Sequence, residues 1–311
     1  MKHFERIIIL YGSLSGERDV SLHSESLVFE ALKDRYPTQS LYLEENRLSE
    51  GINPETDLIF SVIPGDFSED GQLQAVLEEK GFTYVGSDAK ASALCMDKIR
   101  SKHLAAENGL SVLPVIEPTI GQALDREMLE KTLKSTAFVL KPTDKGSSIG
   151  VHLCEDFDAL RKAWSEVKEG HWMIEPYVCG RELTVGLLHG KALGVGEICP
   201  KQGFYDYHNK YTEGACDYFF PAHLEEAIAE RLRHSSEIFF KAAACRDFGR
   251  ADFIMDTDGN VWFLEMNTIP GMTTQSLLPK SAACVGITFE ALLRRLVDGV
   301  CERSGKCFRK N

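Results

Sequence analysis

Over its first third the chain alternates short apolar strands with segments of helical period, and this restricts the fold more than any other feature. Ile7–Leu10 reads as a strand, followed by the turn Gly12-Ser13-Leu14-Ser15-Gly16. From Asp19 to Leu32, the residues Val20, Leu27, Val28 and Leu32 recur at helical spacing. Leu58–Ile63 is a second strand, stopped by Pro64-Gly65. Gln72–Lys80 is a helix, and Gly81–Gly86 a short strand between glycines. Strands and helices in alternation imply an α/β unit, a parallel sheet with helices on its faces. Ligands of such sheets sit beyond the carboxyl ends of the strands, here the loops Gly12–Glu17 and Gly65–Gly71.

Beyond this unit the pattern changes. One helix is expected over Ser92–Asn108, stopped by Gly109. The strand Ala137–Lys141 enters the loop Lys145–Gly150, and a strand Val151–Cys154 leaves it. A third stretch holds the strand Glu182–Leu188, a polar and aromatic loop Lys201–Phe220 and a helix Leu224–Cys245. It closes with a hairpin of Ala251–Met255 and Val261–Glu265 around Asp256-Thr257-Asp258-Gly259-Asn260. The last ten residues, Glu302–Asn311, are charged and aperiodic and are expected to fray. A length of 311 residues leaves room for two or three domains.

Composition removes several classes of function. With 35 basic and 47 acidic residues the formal charge is -12, which repels a phosphate backbone and argues against nucleic-acid partners. The nine cysteines are scattered and form no Cys-x-x-Cys pair, so neither a zinc knuckle nor a disulfide framework is expected, and reduced thiols suggest a cytoplasmic protein. The apolar residues Ile7–Tyr11 are too few for a signal-peptide core. No apolar run approaches a membrane span, so no membrane association is expected.

Two segments carry chemistry. The loop Lys145–Gly150 joins two strands and lacks the spacing of a P-loop. Its glycines, hydroxyls and lysine still allow backbone N–H groups to lie over a polyphosphate, and Lys141 at the preceding strand's end can reach the same phosphates. In the hairpin, the turn brings Asp252 roughly opposite Glu265, and period two puts Asn267 on the same face as Glu265. Two carboxylates and an amide oxygen suit Mg²⁺, which takes few protein ligands and completes its shell with phosphate and water. The hydroxyl-rich turn Thr268–Ser276 follows. There the Gly271 N–H can meet an oxyanion, and Arg250, on the face of Asp252, can supply positive charge.

Together these motifs resemble those of the ATP-grasp ligases, and more closely the D-alanine–D-alanine ligase family. The matching text includes Ser15–Leu22, Glu69-Asp70-Gly71, Tyr84–Ser87, Ala91–Lys98, Lys141–Gly150, Glu175–Val178, Tyr205–Tyr211, Gly249–Asp252 and Glu265–Ser276, in order along almost the whole chain. One departure is Pro64-Gly65, where the family usually carries His-Gly near the first D-alanine. The resemblance implies three domains: an N-terminal α/β domain over 1–95 that binds the first D-alanine, and two ATP-grasp subdomains of α+β character. The central subdomain, 96–178, carries the glycine loop, and the C-terminal one, 179–311, carries metal ligands, closing loop and oxyanion pocket.

It also implies residue roles. ATP would lie between the second and third domains, with Lys98 and Lys141 on its phosphates and Ser147 and Ser148 over them. Glu175, Tyr177 and Val178 would line the adenine and hinge, Glu182 would meet the ribose, and Lys210 would face the nucleotide. Asp252, Glu265 and Asn267 would hold two Mg²⁺ ions, or Mn²⁺ in their place. Glu17 would receive the ammonium of the first D-alanine, and Ser276 the carboxylate of the second. Arg250 and the Gly271 N–H would stabilise the tetrahedral intermediate. Glu17, Ser147 and Tyr211 would latch the loop Lys201–Phe220 over the site, and a homodimer would form through the N-terminal domain.

The implied reaction is ATP-dependent ligation of two D-alanines through an acylphosphate, for peptidoglycan precursors. A carboxylate is a poor electrophile and must be phosphorylated before an amine attacks it. A long aromatic loop that excludes water suits an acylphosphate prone to hydrolysis. Two rival readings are an ATP-grasp ligase with another donor or acceptor (D-serine, D-lactate or another amino acid) and a nucleotide-binding homologue without catalysis. Uncompensated burial of Asp252 and Glu265 argues against the second.

Overall fold

The computed structural model describes residues 3–12, 18–48, 50–201 and 214–309. The chain opens with β1 (His3–Phe4), β2 (Arg6–Tyr11), α1 (Arg18–Leu32), β3 (Thr38–Tyr42), β4 (Asp57–Ser61), α2 (Gln72–Glu79) and β5 (Thr83–Tyr84). The last four strands form a parallel sheet in the order β3-β2-β4-β5. Strand β2 is apolar from Ile7 to Leu10 because both faces are covered there. Ile7 and Ile9 pack on one side with Val28 of α1, while Ile8 and Leu10 pack on the other with Leu73 and Leu77 of α2. At one end the bidentate pair of Arg6 with the buried Asp57 (both contacts 3.0 Å) ties β2 to β4. The three strands read from the sequence are therefore in the observed sheet, which adds the unexpected edge strand β3.

Next come α3 (Ala89–Met96), α4 (Lys98–Glu107), α5 (Arg126–Leu133), β6 (Phe138–Pro142), β7 (His152–Cys154), α6 (Phe157–Glu166) and β8 (Trp172–Pro176). Strands β7-β6-β8 make an antiparallel sheet over Leu129, Leu160 and Trp164. The single helix expected over Ser92–Asn108 is corrected to two. Asp97 leaves helical geometry (φ -75°, ψ 101°), and its carboxylate accepts from the N–H groups of Ile99 and Arg100 at 3.1 Å, capping α4. The Lys98 N–H donates to Thr143 O at 2.9 Å, so a tertiary bond to the end of β6 takes the donor that would have continued α3.

The remainder comprises β9 (Gly180–Leu188), β10 (Lys191–Pro200), β11 (Cys216–Phe219), α7 (Glu226–Ala242), β12 (Phe248–Asp256), β13 (Val261–Asn267), α8 (Leu277–Cys284), α9 (Phe289–Ser304) and β14 (Cys307–Phe308). A five-stranded antiparallel sheet runs β11-β10-β9-β12-β13, with α7 on one face and α8 against β9 and β10. The loop expected from Lys201 is thus in part a strand, since Cys216–Phe219 pairs with Glu197–Pro200; residues 202–213 lie outside the described residues.

The expectation that Glu302–Asn311 frays is corrected as far as Phe308; residues 310 and 311 lie outside the described residues. Helix α9 continues to Ser304, and β14 pairs in parallel with β1. The cause is packing, because the Phe308 ring lies 5.5 Å from Phe4 and 4.8 Å from Tyr36 between centroids. Leu292, Leu293, Leu296, Val297 and Val300 of α9 lie in one core with Ile7 and Ile9, so the chain's end closes the first sheet. Among the described residues no helix is long and apolar enough to cross a membrane.

Candidate active site

Two connected cavities lie where the three larger sheets meet. One is a cleft of about 900 Å³ lined by Pro64, Ser147, Arg250, Asn267, Gly271 and Ser276, among others. The other is a slot of about 180 Å³ lined by Lys141, Ser148, Glu175, Tyr177, Val178, Glu182 and Asp252, with apolar walls from Leu113, Val139, Leu183 and Phe253. Lys98, Gly146 and Glu265 belong to both. Every sequence-predicted site residue among the described ones therefore lines one cavity or the other. Glu17, Lys210 and Tyr211 lie outside the described residues.

The wall shared by the cavities comes from the β12–β13 hairpin. Asp252 faces Glu265 and Arg250 faces Asn267 in register, and a bulge follows at Leu264. Bulges of this kind re-aim neighbouring side chains next to active sites. The Asp252 carboxylate accepts from the Arg250 guanidinium (Nη2 at 2.7 Å, Nε at 2.9 Å) and from the buried Thr184 hydroxyl at 2.7 Å. Glu265 lies 3.6 Å from Lys98 Nζ, which donates to Lys145 O at 2.6 Å. Asn267 Oδ1 accepts from the Ile269 N–H at 2.8 Å.

Among the described residues no group of three His, Cys, Asp or Glu could hold a metal ion. The donor set offered is instead two facing carboxylates plus the Asn267 amide, all oxygen. That composition fits Mg²⁺, whose shell phosphate oxygens and water complete.

The loop Lys145–Gly150 arches over this wall. Ser147 (φ 50°) and Ser148 (φ 57°) both adopt the left-handed region, a conformation costing on the order of 1 kcal/mol per L-residue and characteristic of ligand-clamping segments. Contacts to two other segments help to hold it. Lys98 reaches Lys145 O, and Lys145 Nζ meets Asp66 at 2.6 Å, bridging the loop to the segment after β4. This carboxylate raises the lysine's pKa, against the opposing effect of partial burial.

Glu175 is not merely a lining residue. It is 3% exposed, and its carboxylate is ion-paired with Lys141 and, at 2.9 Å, with Lys102. Burial alone would raise its pKa, but Lys141 and then Lys102 outweigh burial and bring it to about 2. Burial lowers the pKa of Lys102, which Glu175 only partly offsets and Lys141 reinforces. Lys141 therefore joins a buried ionic cluster at the floor of the slot, where it presents a fixed ammonium.

The sequence reading missed Lys102, Thr184 and Lys280. Lys102 carried a signal, since it stands four residues after Lys98 and shares its helical face. Thr184 carried none until strand pairing set it opposite Asp252. In the turn before α8, a Cβ on Gly271 would fall 2.8 Å from Ser276 Oγ, so glycine there keeps its backbone close to that hydroxyl. Ser276 Oγ accepts from the Thr273 N–H at 3.1 Å and lies 2.9 Å from its hydroxyl.

A family model described as D-ala D-ala ligase C-terminus matches residues 105–298. The D-alanine–D-alanine ligase of Citrifermentans bemidjiense is 38% identical over 297 residues, covering 94% of this chain and 95% of that one. That of Anaeromyxobacter sp. strain Fw109-5 is 37% identical, covering 95% and 96%. Among solved structures, the Bacillus anthracis D-alanine–D-alanine ligase complexed with ATP superposes with a TM-score of 0.83 at 30% identity, covering 97% of this chain and 99% of that one. The VanG D-Ala:D-Ser ligase of Enterococcus faecalis gives 0.78 at 26% identity, covering 96% and 100%.

Proposed function

The chain belongs to the D-alanine–D-alanine ligase family, and we propose that it joins two D-alanines to D-alanyl-D-alanine at the expense of ATP, releasing ADP and phosphate. The observation that carries this reading is the facing pair Asp252 and Glu265, with Lys98, at the wall common to an apolar slot and a polar cleft. Such a wall brings the γ-phosphate of a nucleotide in the slot to a carboxylate in the cleft.

The apolar walls of the slot take the adenine beside Tyr177 and Val178, and Glu182 takes the ribose. Lys98, Lys141 and the serines of the arched loop bind the phosphates. Mg²⁺ held by Asp252, Glu265 and Asn267 would neutralise the charge of the β- and γ-phosphates. Phosphoryl transfer to the first D-alanine's carboxylate gives an acylphosphate, and the second D-alanine's amine attacks its carbonyl. Arg250 and the Gly271 N–H face the oxyanion that develops there, and Ser276 orients the acceptor. Glu17, Lys210 and Tyr211 complete this assignment as the donor-ammonium, nucleotide and latch residues. The dipeptide supplies cytoplasmic peptidoglycan synthesis, and the enzyme acts as a homodimer through its N-terminal domain.

The test is ADP release with Mg²⁺-ATP in the presence of D-alanine, L-alanine or no amino acid, with products identified by mass. ADP together with D-alanyl-D-alanine only when D-alanine is present supports the proposal. ADP with another acid would reassign the substrate, and no ADP with any of them would leave a nucleotide-binding protein without ligase activity.

A further inference from the structure

Lys280 is a cleft-lining cation that the assignments above do not use. It stands on α8, one turn after Ser276, and its N–H bonds Ser276 O at 3.1 Å. Helical side chains lean back toward the N-terminus, so Lys280 overhangs the Ser276 end of the helix. Its Nζ lies 4.4 Å above the centroid of the Tyr218 ring on β11, and the lysine is partly buried.

The other cations of this cleft are matched with acids. Arg250 holds Asp252, and Lys98 faces Glu265. Lys280 has no carboxylate partner among the described residues, and burial alone lowers its pKa. A partly buried ammonium over an aromatic face, with no acid beside it among the described residues, is open to an anion. Ser276, the group assigned to the acceptor's carboxylate, is neutral and already engaged with Thr273, so it cannot balance that charge.

We propose that Lys280, oriented by Tyr218, is the cation that receives the α-carboxylate of the acceptor amino acid, and so selects acceptors bearing a free carboxylate. This rests on the ligase reading, and the test separates the two. The native protein, Lys280→Met and Lys280→Arg are each given Mg²⁺-ATP, D-alanine and an excess of D-alaninamide. The amide is isosteric with D-alanine, uncharged at the carboxyl end, and able to serve only as acceptor.

The readout is the ratio of D-alanyl-D-alanine to D-alanyl-D-alaninamide by mass. The native ratio strongly favours the free acid. Lys280→Met lowers it at least about tenfold, the loss expected for a charge-assisted hydrogen bond, and Lys280→Arg largely restores it. A ratio unchanged in Lys280→Met, while the native protein makes D-alanyl-D-alanine, overturns this inference and leaves the ligase reading intact. A native protein that makes neither product overturns both. A Lys280→Met protein that loses both products equally also overturns it, because a merely structural lysine does not discriminate acid from amide.

Discussion

Glu175→Gln removes one charge from a buried cluster without changing its shape, and its cost follows from the geometry. The Glu175 carboxyl stands at about 2 against an ordinary 4.5, so neutralising it in the folded protein costs roughly 3 kcal/mol. Independently, breaking a buried ion pair from one side costs about 3–5 kcal/mol, because the ammonium groups of Lys102 and Lys141 are left facing an amide. Equilibrium urea unfolding at pH 7 should show a lower midpoint for Glu175→Gln, at an m-value close to native. Lys102→Met should cost less, since Glu175 keeps Lys141 and Lys102 is itself held in its charged form against burial.

The pH dependence supplies a second check. Glu175 has a folded pKa below its unfolded value. Its contribution is therefore complete above about pH 4.5 and is lost as the pH falls through about 2. The stability gap between native protein and Glu175→Gln should be constant from neutrality to about pH 5 and narrow below it. A gap under about 1 kcal/mol at pH 7, or one that does not narrow in acid, would refute the reasoning. So would a Lys102→Met protein less stable than Glu175→Gln.

Glu265→Ala should lower kcat by on the order of 10²–10³ or more while leaving the thermal midpoint near native; steady-state ADP release and a melting curve check both, and substantial residual turnover excludes Glu265 as a metal ligand. Pro64→His, on the cleft wall, should lower the KM for the donor D-alanine severalfold. An unchanged KM means that another group already does this histidine's work. Phe308→Ala should lower the melting temperature by removing two aromatic contacts worth about 0.5–1.5 kcal/mol each. A melting temperature equal to native would return the chain's end to the frayed state expected from its composition.

What could be read from the sequence divides by the range of the interaction. Three strands of the parallel sheet were legible: Ile7–Leu10 is apolar at every position, as only a strand covered on both faces needs to be, whereas the edge strand Thr38–Tyr42 opens with Thr38, Gln39 and Ser40 and was not. Asp252 near Glu265 was legible because a hairpin is local and its turn sets the register to within a residue; the bulge at Leu264, between the turn and the acids, moves Asp252 from Leu264 to Glu265. Strand Lys191–Pro200 was not legible, since Gly194 and Gly196 interrupt its alternation. The reason lies outside it, in the side chains of Cys284 and Phe220, which a Cβ at those positions would strike. The break at Asp97 depends on Thr143 taking the Lys98 N–H, and the ordered C-terminus on Phe4 and Tyr36 near the chain's other end.

The candidate site divides in the same way. Its hairpin acids can be derived from period and turn. The gathering of Lys98, Ser147 and Ser276 in one cleft came only from the family resemblance, because no period spans those separations. Lys280 over Tyr218 had neither local pattern nor motif, and Lys102 against Glu175 had only its spacing from Lys98, so both charges read as solvated surface. Burial sets Lys102 apart, and partial burial with no acid among the described residues sets Lys280 apart. For that reason Lys102→Met and Lys280→Met test aspects of this chain that its motifs do not carry.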